Sequence, residues 1–132
     1  MAFRPRLPKR EKARAILRAF GFHGNPYDFD FSFATNDTIV CTELVYKSYQ
    51  PDGNAGITGV RFPSTMVLGR PVMPANLIVR QFDETHGTTD QQLDLVELLD
   101  GRERDDIAVV ETVDTLRKSW KRPKWHIFMQ KR

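Results

Sequence analysis

The chain has 132 residues, with 40% hydrophobic and 28% charged side chains and a net charge of +3, a composition that suits one folded domain with a modest core and excludes a disordered tail. No apolar run approaches ~18 residues, so a membrane-spanning helix is excluded, and the opening Met-Ala-Phe-Arg-Pro-Arg offers no signal peptide. The lone cysteine, Cys41, excludes an intrachain disulfide framework and an all-cysteine metal site.

Residues 8–20 read as a first helix: Pro8 suits a first turn, Ala13, Ile16, Leu17 and Phe20 recur at helical spacing, and Gly21 supplies the stop. Residues 21–37 form a loop or extended stretch, in which Phe29, Phe31 and Phe33 alternate as a short strand with one buried aromatic face. A second helix starts near Asn36–Thr38, three N-cap residue types in a row, and runs through Cys41, Leu44, Val45 and Ser48 to about Tyr49. Pro51, Gly53, Gly56 and Gly59 mark a turn-rich connector. Pro74 opens a short helix with Leu77, Ile78 and Phe82. Leu93, Leu95 and Val96 make a strand that ends in an Asp100–Gly101 turn. Val109, Val113, Leu116 and Trp120 are spaced as a further helix, and Trp125, Ile127 and Met129 alternate as a closing strand. The expectation is a single α+β domain spanning residues 1–132.

The chemistry concentrates around Cys41. In the first turn of a helix its sulfur lies near backbone N–H groups without intrahelical partners, where the positive end of the helix dipole favours a thiolate. The same N–H groups suit a developing oxyanion. Against this stands the bland alternative, an inert cysteine packed on an apolar helix. The histidines His23, His86 and His126 have no metal-ligand spacing, and no metal or cofactor is expected. Asp28 and Asp30 read as turn-capping or solvated acids rather than a paired-carboxylate site. Glu43 reads as a helix carboxylate that makes a structural hydrogen bond or faces solvent.

Gly24-Asn25-Pro26-Tyr27-Asp28, followed by Cys41-Thr42-Glu43-Leu44-Val45 with Tyr27 and Cys41 fourteen residues apart, resembles the permuted papain-fold cysteine hydrolases. These are the YiiX/YebB-like relatives of the NlpC-type peptidases, with more distant ties to lecithin retinol acyltransferase. The resemblance is densest over residues 21–49 and weaker at Arg70-Pro71-Val72-Met73-Pro74; Thr42 stands where the family has serine. It implies a permuted papain-like domain and a thiol hydrolase acting on a peptide or a lipid acyl substrate. Cys41 matches the nucleophile, and Tyr27 the tyrosine that approaches it and donates to the oxyanion. It also implies a histidine base and its orienting group on strands before the cysteine, and none of the three histidines occupies that position. The expectation is therefore the C-terminal, nucleophile-bearing part of such a domain, incomplete at its N-terminus, with a reactive thiol and little turnover.

Two further readings compete. One is a non-catalytic papain-like binding module with Cys41 as packing. The other follows from charge: residues 1–20 carry seven Lys or Arg against Glu11, residues 117–132 carry seven more and no acid, and residues 21–116 hold six cations and sixteen acids. Basic ends of this kind suit an anionic membrane surface or an acidic body. With Trp120 and Trp125 among the C-terminal cations, they also admit a nucleic-acid-binding domain whose tryptophans are exposed.

Overall fold

Val60, Val79, Phe82, Leu93 and Leu116 form the buried centre, and Phe3, Leu95 and Trp120 pack around it. The structure is a computed structural model that describes residues 1–31, 33, 35–102 and 106–121. In chain order these residues form β1 (Ala2–Pro5), α1 (Lys9–Phe20), α2 (Cys41–Tyr49), β2 (Thr65–Val67) and β3 (Arg70–Val72). There follow α3 (Ala75–Thr85), β4 (Leu93–Glu97), β5 (Leu99–Arg102), β6 (Ile107–Val110) and α4 (Val113–Ser119). The strands pair as three two-stranded antiparallel sheets, β1–β4, β2–β3 and β5–β6. The class is α+β. Among the described residues no helix is long and apolar enough to cross a membrane.

The helices form largely where the spacing of apolar residues puts them, but the apolar face of one of them does not pack inward. In α1 the apolar stripe points outward: Ile16, Leu17 and Phe20 are 54%, 70% and 69% exposed. The polar side turns inward because its groups satisfy the backbone of the connector after α2. Glu11 Oε2 accepts from Gly59 N–H at 3.0 Å, Arg14 donates to the Ala55 carbonyl at 3.1 Å, and Arg18 bonds the Gln50 carbonyl and Asp52. Gly59 is required there: at φ 62°, a Cβ would stand 2.5 Å from the Tyr49 carbonyl oxygen. α3 and α4 are joined by Asp83, which accepts from Trp120 Nε1 at 3.0 Å and Arg117 Nε at 2.8 Å and pairs with Lys121 at 3.2 Å.

The strands depart further from the sequence reading. β1 lies antiparallel to β4, with Phe3 opposite Leu95 and its ring 5.1 Å from that of Phe82. Asp100 and Gly101 are not a turn but pair with Val109 and Ala108, so Val109 belongs to a strand and α4 starts only at Val113. Thr112 caps α4, its hydroxyl accepting from Thr115 N–H. Phe29, Phe31 and Phe33 form no strand; Phe31 takes a left-handed φ of 52°, which breaks the alternation. The closing strand expected at Trp125, Ile127 and Met129 lies outside the described residues, as does His126.

Candidate functional site around Cys41

Cys41 is the first residue of α2, which begins later than the Asn36–Thr38 cap types predict. Asn36 is engaged elsewhere: its carbonyl accepts from Asn25 Nδ2, and its Oδ1 accepts from Lys47 Nζ at 2.6 Å. The N-cap is Val40, whose side chain accepts nothing, so only the reciprocal half of a capping box forms: Val40 N–H donates to Glu43 Oε2 at 3.3 Å. The first intrahelical bond runs from Leu44 N–H to the Val40 carbonyl at 2.9 Å, so the N–H groups of Cys41, Thr42 and Glu43 precede the helical ladder.

Tyr27 reaches this helix start by backbone pairing. Asp28 N–H donates to the Ile39 carbonyl and Ile39 N–H to the Pro26 carbonyl, a parallel bridge that sets Tyr27 beside Ile39. Asp28 Oδ1 accepts from Asp30 N–H at 2.8 Å and turns the chain there. The rings of Phe29 and Phe31 then gather on Tyr27, at 5.0 and 6.3 Å.

A cavity of about 690 Å³ opens between this aromatic turn, the start of α2, the β2–β3 hairpin and the start of α3. Both Cys41, which is exposed, and Tyr27 line it. Its wall is otherwise mostly apolar, with Phe29, Phe31, Phe33, Val40, Val67, Leu68, Val72 and Met73. Asp30 and Arg70 are the charged side chains on it, and Arg70 has no ion-pair partner among the described residues. Val40 and Met73 are buried behind it.

The hairpin wall was not foreseen. Leu68 and Gly69 take φ 50° and 77° between paired strands, the two positive angles of a tight two-residue hairpin turn. Gly69 was the available signal. Leu68 in place of the usual Asn or Asp, and Pro71 within β3, obscured it.

Glu43, two residues after the cysteine, is wholly buried and not part of the cavity wall. Its Oε1 lies 2.7 Å from Lys47 Nζ, which also reaches the Thr35 carbonyl. Of the two readings of Glu43, a structural hydrogen bond or a solvent-facing carboxylate, the first is the one found, and the carboxylate braces α2 against the loop that precedes Cys41.

Neither described histidine lines the cavity. His23 is exposed in the turn after α1, and the His86 ring packs 5.2 Å from Phe82. Among the described residues no three His, Cys, Asp or Glu side chains come together as metal ligands. Trp120 is half-buried, its face met by Arg80 and Lys121 and its Nε1–H committed to Asp83. It is not an open stacking surface. No protein-family model matches the sequence, and neither the curated proteins nor the solved structures contain a match.

Proposed function

We propose that the chain is a thiol hydrolase-type domain, related to the permuted papain-like enzymes, in which Cys41 attacks the carbonyl of an acyl group held by an ester or amide. The observation that carries this reading is the shared cavity: an exposed thiol at the start of a helix on the wall of an apolar chamber that Tyr27 also lines. The Cys41 sulfur adds to the carbonyl carbon, and the bond to the alcohol or amine breaks. The leaving group departs with a proton, and water then cleaves the thioester and restores the thiol. Backbone N–H groups at the start of α2 supply donors for the oxyanion, and Tyr27 is the candidate for a further one. The predominantly apolar wall favours a hydrocarbon acyl chain over a polar peptide. With no described histidine on the cavity to take a proton, acylation outruns release.

Incubation of the 132-residue chain with p-nitrophenyl decanoate tests the reading. The expected result is roughly one p-nitrophenolate released per chain, a decanoyl adduct located on Cys41 by mass spectrometry, slow further turnover, and no adduct in Cys41→Ala. Equal labelling by p-nitrophenyl acetate, or equal labelling of the urea-unfolded chain, would show ordinary thiol chemistry and overturn the proposal.

A further inference from the structure

We infer that α1 is a membrane-docking helix that lays its outward apolar face on an anionic lipid surface. Amphipathic helices normally bury their apolar stripe against the core, but α1 is mounted the other way round. Glu11, Arg14 and Arg18 fix its polar side to the connector between Asp52 and Gly59, and only Ala15 is buried. Ala13, Ile16, Leu17 and Phe20, spaced at i, i+3, i+4 and i+7, all face solvent.

Charge identifies the occupant. At 100° per residue Lys9 falls on the same stripe at its N-terminal end, and Arg10 and Lys12 fall on its two flanks. None of these three cations has an ion-pair partner among the described residues. Glu11, the single acid of α1, is turned inward to Gly59 and does not offset them. An apolar strip bracketed by unpaired cations complements the anionic headgroups and acyl boundary of a bilayer. A second copy docking through its own α1 stripe would bring the same cations without an acid to meet them. Twelve residues give a helix about 18 Å long and about 10 Å wide, a footprint on the order of 200 Å² against the ~800 Å² per partner of a stable dimer. The chain's own C-terminal residues 117–132 carry seven cations and no acid, and do not complement the strip either.

The test is flotation of the full chain with vesicles of phosphatidylcholine alone and with 30% phosphatidylglycerol. Binding is expected to the anionic vesicles only and to weaken in high salt. Leu17→Ser/Phe20→Ser, which leaves every charge in place and alters only exposed positions, is expected to reduce the partition at least tenfold with unchanged circular dichroism. Lys9→Gln/Arg10→Gln, which leaves the apolar stripe intact, is expected to reduce it about tenfold. Equal binding of the serine variant would place the contact on the basic termini instead and overturn the proposal. So would the absence of binding, indifference to phosphatidylglycerol, or a dimer in sedimentation velocity that the serine variant dissociates.

Discussion

Glu43 ties the start of α2 to its neighbours. Its two oxygens serve different neighbours: one accepts from the Val40 N–H that ends the preceding loop, the other pairs with Lys47 one turn on. Removing one partner of a buried ion pair leaves the other charge uncompensated, so Glu43→Ala is expected to cost about 3 kcal/mol in urea unfolding. Glu43→Gln keeps an acceptor for Val40 and should cost clearly less. A loss below about 1 kcal/mol for the alanine variant would mean that Lys47 is satisfied by Thr35 and Asn36 alone. At this scale Cys41 stood out by its expected place at a helix start and Tyr27 only through the resemblance, and both line the cavity. The cap was not: Asn36 is a fitting cap residue in isolation, and only the folded chain shows it engaged with Asn25 and Lys47. Arg70 was marked only as the first residue of the weaker match at 70–74, and its place on the cavity was not legible from that.

Among the elements, helices declared themselves through periodicity over seven to twelve residues, whereas strands of three to five residues are too short to show a reliable alternation. The Asp100–Gly101 turn signal was overridden by pairing with β6, a long-range choice that propensity does not contain. The outward direction of the α1 stripe was illegible for a related reason. Periodicity says that a face exists, but whether it turns in depends on what the opposite face can bond. The α3–α4 junction shows the same dependence on partners. Donation from Trp120 Nε1–H, reinforced by Lys121 and Arg117, holds the Asp83 carboxyl below its ordinary range and outweighs its partial desolvation. A lowered carboxyl contributes stability above the unfolded-state value and loses it as pH falls through the folded one. Asp83→Asn should therefore be less stable than the wild type by about 1 kcal/mol at pH 7. The gap should stay constant down to about pH 5 and close below about pH 4. A gap that widens in acid would contradict this assignment of the junction.

Among the described residues, apolar side chains form a small centre, and others face solvent, on the cavity wall and the α1 stripe among other places. The cavity joins parts distant in sequence: the aromatic residues Tyr27, Phe29, Phe31 and Phe33, the start of α2 and the hairpin whose tip residue Leu68 is 97% exposed. A ligand that fills this space bridges segments that the central cluster of Val60, Phe82 and Leu116 does not reach. Stability should then couple to occupancy. A ligand present at 100 times its Kd adds about 2.7 kcal/mol, which for a chain of this length raises Tm by about 10 °C. Decanoate, which has no leaving group and cannot acylate the thiol, should produce such a shift at saturation, while acetate should not. The shift should survive in Cys41→Ala, because it arises from apolar contact rather than from a thioester. It should fall by at least half in Leu68→Ser/Val67→Ser, both exposed positions that the core does not need. A decanoate shift that disappears in Cys41→Ala would tie binding to the sulfur itself. A shift unchanged by the hairpin substitutions would place the ligand elsewhere and leave the cavity without its acyl chain.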